Sequence, residues 1–211
     1  MFVQHGYAAS TMRAIAAQAG VSVPTVELVF GTKPQLLKAV IDVAIAGDDE
    51  PVRFLQREWA AEASTAHTVA EFLAMVGQVL RPAQTRSAGL VVVAYEAAPT
   101  DPQIAALVRQ LESHRAATVG WIVDAILERA ALRPGVSREL AIDTLWLLMD
   151  PVLFCRLTQQ RSWSAQDYEH WFTDSIPRLL LPPTDVSTTT KAGTRTTHPH
   201  DPPRSETGLT P

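Results

Sequence analysis

The sequence has only one cysteine, Cys155, among its 211 residues. One thiol excludes an intramolecular disulfide framework and any metal site built from several cysteines. The chain also lacks an uninterrupted apolar run of the roughly 18 residues that a membrane helix needs. Its first residues lack the basic and apolar segments of a secretory signal. These absences predict a soluble cytoplasmic protein that does not bind membranes.

An excess of positive charge is absent as well. The 18 basic residues are outnumbered by 22 acidic residues, and the net charge is -4. Any binding to nucleic acid must therefore be confined to one element of the fold. Apolar residues make up 46% of the chain, which is enough for a buried core and excludes general disorder.

The last thirty residues differ in composition from the rest. Residues 182–211 contain six prolines and nine threonines but no aromatic residue. Such a segment buries too little apolar surface to offset the entropy lost on ordering. We therefore predict a disordered tail over residues 182–211, in which His198 and His200 are an incidental pair.

The body of the chain has the apolar periodicity of α-helices. Long helices are predicted near residues 103–131 and 137–159, the second of them kinked or broken by Pro151. Five consecutive apolar residues at 145–149 surround the second helix with hydrophobic side chains, so one of its faces needs a further partner. A final helix is predicted after Ser164, with Tyr168, Trp171, Phe172 and Ile176 on its inner face.

Shorter helices are predicted over Val52–Ala63 and Val69–Leu80. The β-branched run at 90–93 is the one place where a strand competes. We assign it to helix, because no second alternating run exists with which a strand could pair. The predicted fold class is all-α.

The first 47 residues contain two short helical segments separated by a glycine. Thr11 precedes the first segment as a cap, and Gly20 stands where the chain must turn with a positive φ. Ser22 caps the second segment, and Pro24 lies in its first turn, where a missing N–H does no harm. This arrangement predicts a helix-turn-helix, whose second helix enters the major groove of DNA.

Three neighbouring positions complete the pattern. Val21 is expected to fill the core between the two helices, and Phe30 is expected to anchor the exit of the second. The next helix is expected to start at Thr32, with Lys33 as its first residue.

The motif resembles the N-terminal domain of TetR-type (tetracycline-repressor-like) transcriptional regulators over residues 2–47, in the family's order and spacing. The residues that carry the likeness are Gly6-Tyr7, Ser10-Thr11-Met12-Arg13, Ile15-Ala16, Ala19-Gly20-Val21-Ser22, Thr25, Phe30, Lys33 and Leu36-Leu37. A weaker likeness covers 150–154, 163–164 and 168–171, which are similar to the final helices of many members.

The resemblance implies an all-α homodimer that binds a palindromic double-stranded operator. Residues 1–47 would form the helix-turn-helix domain, and residues 48–181 would form a larger helical bundle for effector binding and dimerisation. Thr11 and Arg13 would contact phosphates, Lys33 would clamp one, and the second motif helix would face the groove with Ser22, Val23, Pro24, Thr25 and Leu28. The long helices would form the dimer seam as a four-helix bundle.

Three positions depart from the family pattern. Only five residues precede Gly6, which predicts a truncated first helix. Glu27 stands where a phosphate-binding tyrosine is usual, and its carboxylate either repels the phosphate backbone or accepts from cytosine N4 in the groove. Leu28 and Val29 follow where polar or aromatic residues are common. Residues 1–47 carry three basic groups against two acidic ones, which predicts few phosphate contacts per subunit.

Catalysis and metal binding find little support in the sequence. Asp143 and Asp150 are seven residues apart on one helix, but Asp150 precedes a helix-breaking proline, and no enzyme activity is predicted. The helical body has no pair of metal ligands at helical spacing, and no cofactor is predicted. Cys155 is interpreted as a small buried hydrophobe, with a redox sensor as the alternative.

Aromatic and sulfur-containing side chains of the larger domain are the candidates for an effector pocket, although ordinary core packing explains most of them. The candidates are Trp59, Phe72, Met75, Tyr95, Trp121 and Trp146, together with His114, which equally fits a subunit seam or a surface position. Such a lining predicts an apolar effector. The predicted function is a ligand-responsive repressor, and the alternative is a member with impaired DNA binding that acts as a small-molecule-binding or dimerisation module.

Overall fold

The computed structural model describes residues 1–48 and 54–183, and that part of the chain contains helices and no strand. The predicted tail lies outside the described residues from position 184 onward. The helices are α1 Phe2–Ala9, α2 Met12–Ala19, α3 Val23–Phe30, α4 Lys33–Ala46, α5 Glu58–Ser64, α6 Val69–Ala97, α7 Pro102–Leu127, α8 Arg138–Leu148, α9 Pro151–Cys155 and α10 Ala165–Leu180. A short 3₁₀ turn at Phe54–Gln56 precedes α5, and a π turn at Arg156–Gln160 follows α9. The prediction of an all-α fold is confirmed.

Two helices begin directly after the serines at their predicted starts, and in both the serine hydroxyl accepts a backbone hydrogen bond. The Ser137 hydroxyl accepts from Leu140 N at the start of α8, and Ser164 accepts from Asp167 N at the start of α10. Pro151 interrupts the predicted helix, as expected: α8 ends at Leu148, and α9 begins at Pro151. The Asp150 carboxylate caps the new helix α9 by accepting from Val152 N and Leu153 N.

Two predicted helices have different bounds in the structure. Val52–Ala63 is not one helix, because Arg57 is extended between the 3₁₀ turn and α5, and Val52 lies outside the described residues. Val69–Leu80 is the first part of α6, which continues through Pro82 to Ala97 and includes the run at 90–93. Proline removes one helical hydrogen bond, but burial along the whole length of α6 keeps the helix continuous.

The buried side chains form two apolar clusters, which share α6 and α7. One cluster joins α5, α8, α9 and α10 to the first part of α6 and the last part of α7. The other joins α1 to α4 to the end of α6 and the start of α7. The helix-turn-helix segment therefore rests on the corner where α6 turns into α7.

The inner face predicted for the last helix is largely confirmed. Tyr168, Phe172 and Ile176 are fully buried, and the Tyr168 hydroxyl donates to the Leu148 carbonyl across 2.6 Å. Trp171 is only half-buried and lies against the ring of Trp163.

The turn between α2 and α3 depends on the left-handed backbone of Gly20. Its φ is 69° and its ψ is 24°, and the N–H groups of Gly20 and Val21 donate to carbonyls in the last turn of α2. A Cβ at this position would meet no atom within 4 Å. Glycine is thus required by the backbone conformation and not by lack of space.

We predict that Gly20→Ala lowers the free energy of unfolding by about 1 kcal/mol, because an alanine strains the left-handed region. Gly20→Asn is the matched control, since asparagine enters this region more readily, and its cost should be smaller. Urea unfolding followed by circular dichroism measures both. Equal losses for the two variants would contradict a cause that lies in the backbone.

Candidate nucleic-acid interface and effector cavity

Helices α2 and α3 form the predicted helix-turn-helix, and each begins at a capped and exposed turn. The Thr11 hydroxyl accepts from Ala14 N at 3.1 Å, and the Ser22 hydroxyl accepts from Thr25 N at 3.2 Å. The hydroxyls of Ser22 and Thr25 are also hydrogen-bonded to each other at 2.7 Å. Both helix starts therefore present their positive ends to solvent, where an anion such as a phosphate binds favourably.

Helix α3 has one inward residue and a broad outward face. Val26 is 5% exposed and packs into the N-terminal core. Because a helix turns by about 100° per residue, Pro24 and Leu28 lie on the side opposite Val26, with Thr25 and Glu27 at the flanks. Leu28 is 88% exposed, the largest exposure among the large apolar side chains in the described part of the chain.

The structure corrects three predictions about this motif. Val21 does not fill the core between the helices, since it is 44% exposed. Phe30 is 40% exposed at the end of α3 and anchors the exit less than predicted. Val23 is half-buried against the N-terminal core rather than turned fully outward. Val21 lies in the turn before α3 and Phe30 at its last position, where few neighbours cover a side chain, whereas Val23 begins the helix beside the N-terminal core.

The two basic candidates of the motif differ in environment. Arg13 is exposed in the first turn of α2. Lys33 is half-buried at the first position of α4, with its ammonium 3.9 Å from the centre of the Tyr7 ring. The Tyr7 hydroxyl donates to the Asp101 carboxylate at 3.0 Å, and Asp101 also caps α7 by accepting from Gln103 N and Ile104 N. Tyr7, Lys33 and Asp101, here termed the junction cluster, connect α1, α4 and α7.

Ionisation in the junction cluster follows from these contacts. Burial and the hydrogen bond to Asp101 raise the pKa of the Tyr7 phenol far above its ordinary value. Burial lowers the pKa of Lys33, against the opposing effect of Asp101. Burial alone would raise the pKa of Asp101, but the bond from Tyr7, the backbone donors of α7 and the nearby Lys33 bring it below its ordinary value. At neutral pH the cluster thus holds an ammonium, a neutral phenol and a carboxylate.

A cavity of about 540 Å³ lies between the end of α4, the start of α5 and the middle of α6. Its apolar lining includes Ile45, Phe54, Trp59, Val79 and Pro82. Polar side chains share the wall: Gln56, Arg57, Glu58, Gln78 and Arg86. The Trp59 indole N–H donates to the Phe54 carbonyl at 2.9 Å, which holds its ring at the cavity wall.

Arg86 connects this cavity to the helix-turn-helix segment. Its Nε donates to the Ala44 carbonyl at 2.9 Å, and its Nη2 donates to the Ile45 carbonyl at 3.4 Å. Both carbonyls belong to the last turn of α4, whose negative end attracts a cation. Pattern analysis of the sequence missed Arg86, because a cap across 41 or more residues leaves no local signal.

The predicted pocket residues divide into separate groups in the structure. Trp59, Trp121 and Phe72 form a chain of ring contacts, with centroids 5.6 and 5.5 Å apart. Met75 packs against the same core, yet only Trp59 of the predicted set lines the cavity. His114 is exposed on α7 and joins neither group.

Tyr95 and Trp146 belong to a second polar network, centred on Arg115. The Arg115 guanidinium bonds to Glu112 and Asp150, both at 2.8 Å, and lies 3.8 Å from the centre of the Trp146 ring. The Tyr95 hydroxyl donates to Glu112. Burial raises the pKa of Tyr95, and the hydrogen bond to Glu112 raises it further. Asp150 thus has structural partners, and Asp143 is exposed nearby on α8.

Residues 1–48 and 54–183 contain no group of three or more histidine, cysteine, aspartate or glutamate side chains arranged to hold a metal ion. None of the helices described there has the length and apolar character needed to cross a membrane. Cys155 is half-buried, and burial, aided by Asp150, raises the pKa of its thiol.

Comparison with known proteins agrees with the geometry of the N-terminal segment. Residues 1–40 match the model of the N-terminal domain of bacterial regulatory proteins of the tetR family. No curated protein sequence is similar enough to be matched. The resemblance to TetR-type regulators predicted from the sequence is confirmed.

Solved structures share the fold over most of both chains. A candidate transcriptional regulator from Saccharomonospora viridis, in complex with choline, has 18% identity and a TM-score of 0.62, covering 86% of this chain and 92% of that one. A candidate TetR-family regulator from Rhodococcus sp. has 12% identity and a TM-score of 0.60, covering 85% and 92%. The ketosteroid transcriptional regulator KstR2 of Mycobacterium tuberculosis has 16% identity and a TM-score of 0.55, covering 87% and 90%.

We predict that Asp101→Asn destabilises the chain at neutral pH and weakens its acid sensitivity. The asparagine amide can still cap α7, but the substitution removes the negative charge near Lys33. A carboxylate whose pKa is lowered on folding contributes stability above its unfolded pKa of about 3.9 and loses it as the pH falls through the folded pKa.

The difference between wild type and Asp101→Asn should therefore be largest at pH 7 and should narrow below about pH 4. Urea unfolding at several pH values measures it. Asp174→Asn is the control, since that carboxylate is exposed on α10 and only loosely paired with Arg178. A difference between Asp101→Asn and wild type that does not depend on pH would contradict the assignment.

Proposed function

We propose that this chain, whose N-terminal sequence and fold are those of TetR-family transcriptional regulators, is a ligand-responsive DNA-binding repressor of the cytoplasm. A small-molecule effector releases it from a palindromic operator. Residues 1–47 form the DNA-binding domain, residues 48–181 bind the effector and the second subunit, and residues 182–211 are a tail.

The exposure of α3 is the observation that carries the DNA-binding part of the proposal. An eight-residue helix stands beside the capped start of α2 with only Val26 buried. Arg13 and the exposed hydroxyls of Thr11 and Ser22 surround it. A helix that fits the major groove, with phosphate-binding groups at its sides, is the arrangement by which a helix-turn-helix docks on DNA.

The cavity beside Trp59 is the effector site that we propose. Its volume falls in the range of small-molecule pockets, and its lining combines aromatic rings with polar and charged side chains. The predicted apolar effector suits the rings, and the polar wall supports an effector that also carries a polar end. Similar structures include a complex with choline and a ketosteroid regulator, so small-molecule binding on this fold supports the proposal.

Arg86 provides the connection between effector and DNA in this proposal. It lies in the cavity wall and at the same time caps the last turn of α4. An effector that draws the guanidinium into the cavity removes a donor from α4 and favours a second position of the helix-turn-helix. The effector can shift the balance between the two positions by at most its difference in affinity for them. It lowers operator affinity by the same factor by which operator binding lowers effector affinity.

Exposed leucines support the proposed homodimer. Leu147 is 61% exposed and Leu140 is 49% exposed, one heptad apart on the same side of α8. Leu127 at the end of α7 and Leu179 near the end of α10 are also exposed. Apolar side chains at helical spacing on neighbouring helices favour a bundle between two copies. The dimer also places two copies of α3 on two half-sites.

Glu27 favours the alternative, a regulator-like module with impaired DNA binding. Its carboxylate is exposed at the flank of α3, where it repels a phosphate backbone. Lys38 offsets little of this charge, because it pairs with Asp42 on α4. The DNA-binding experiment below separates the two functions.

We predict that Arg13→Ala weakens binding to duplex DNA from the region upstream of its own gene. The loss of one phosphate contact should reduce the slope of log K against log salt by about one per subunit. Fluorescence anisotropy at several salt concentrations measures the slope. Arg178→Ala is the matched control, because it removes an exposed arginine from the far end of α10.

Equal salt slopes for wild type, Arg13→Ala and Arg178→Ala would contradict the placement of α2 on DNA. Absence of duplex binding by the wild type would favour the alternative module.

We predict that the double variant Leu140→Glu, Leu147→Glu is monomeric, because two buried carboxylates per subunit would face each other across an apolar seam. Sedimentation velocity compares it with the wild type, which should be a dimer. Val43→Glu is the control, since Val43 is also apolar and 44% exposed but lies on α4. A dimer that survives the double variant would place the seam elsewhere.

A further inference from the structure

The centre of the outward face of α3 has no side chain that forms hydrogen bonds. Leu28 and Pro24 lie opposite the buried Val26, and the neighbouring Val29 is 66% exposed. The polar side chains of this helix are at its start or its flanks: Ser22 and Thr25 hydrogen-bond to each other, and Glu27 is at the other edge. No other part of the described N-terminal segment covers Leu28.

An exposed leucine at this position restricts what the helix can recognise. In the major groove, guanine and adenine offer acceptors at N7, while cytosine offers an amino donor. Leucine can pair with none of these groups. Thymine is the base that offers an apolar group there, its C5-methyl, and apolar side chains contact it favourably.

We propose that Leu28 reads the methyl group of one thymine in each half-site of the operator, and that Leu28 is thereby a specificity-determining residue. This inference rests on the proposed DNA-binding function. Burying a methyl group in an apolar contact stabilises the complex by an amount that corresponds to about a fourfold change in affinity. A pair of half-sites should therefore show a change of about sixteenfold if the two contacts are independent.

The surroundings of Leu28 favour DNA, and not a second protein surface, as the partner that covers the outward face of α3. Leu28 shares its helix with the exposed start at Ser22, where the positive end of the helix dipole favours anions. Arg13 is exposed on the adjoining helix α2. An apolar strip bordered by anion-binding groups matches a groove whose floor carries methyl groups and whose rims are phosphates.

Replacing thymine by uracil removes only the methyl group, so this exchange tests the proposal directly. The full chain first selects its preferred duplex from a random library. Each symmetric pair of thymines in that duplex is then changed to uracil, and the dissociation constant is measured for wild type, Leu28→Ala and Val29→Ala. We expect one pair whose exchange weakens wild-type binding by about sixteenfold.

The variants assign that effect to a residue. Leu28→Ala should bind the thymine and uracil duplexes of that pair with equal affinity, and Val29→Ala should keep the wild-type preference. Thermal unfolding of both variants, whose changed side chains are exposed, checks that the fold is retained.

Three results would overturn the inference. The first is equal binding of thymine and uracil duplexes by the wild type at every pair. The second is a thymine preference that persists in Leu28→Ala. The third is self-association of the wild type that Leu28→Ala abolishes, which would assign the face to a second copy. If the library yields no enriched duplex, the DNA-binding proposal itself fails. An enriched duplex without thymine preference removes only the role of Leu28.

Discussion

The carboxylate of Asp101 holds three helices of this molecule at one point. It caps α7, accepts from the Tyr7 hydroxyl of α1 and lies close to the ammonium of Lys33 at the start of α4. Most other contacts between the helix-turn-helix segment and the corner between α6 and α7 are apolar, and apolar contacts are not directional. The orientation of α3 relative to the bundle therefore depends on this polar contact more than on the area of the surrounding apolar surface.

A second contact, made by Arg86, attaches the opposite end of α4 to α6. Helix α4 is thus held at its start by the contact of Lys33 with the Tyr7 ring, whose hydroxyl donates to Asp101, and at its end by Arg86. Only the second contact adjoins the cavity. Under the proposed function, a ligand in the cavity would act on one end of α4 while the other end stays in place. A small displacement at the cavity would then rotate the helix.

Local sequence signals predicted the fold well where a short segment determines its own conformation. Gly20, Ser22, Ser137 and Ser164 define helix ends through bonds to residues three or four positions away, and Pro151 does so because it has no N–H. The structure has these ends. The extent of α6 could not be predicted, because Pro82 is a local stop signal that long-range burial overrides. Val21 was misplaced because its exposure depends on how closely α2 and α3 approach, which sequence spacing does not specify.

For the candidate sites too, positions fixed by local periodicity were predicted better than those that depend on contacts between distant helices. The positions predicted to face DNA at Thr25, Glu27 and Leu28 are exposed on α3, because helical periodicity alone orients them. The pocket candidates were scattered among the aromatic core, the Arg115 network and the surface, since residue type says nothing about which helices meet. Arg86 and Asp101, which connect distant helices, have partners 41 or more residues away.

Pro82 lies in the middle of α6, before the point where the helix passes from one core to the other. The residues of α6 up to Ala88 pack in the core of α10 and α9, and those from Val91 onward pack with the helix-turn-helix segment. Because proline has no N–H, the Gln78 carbonyl cannot receive its usual helical bond, and both residues line the cavity. The rod that joins the two halves of the molecule is thus least stiff beside the cavity, and it bends there more easily than at any fully bonded turn.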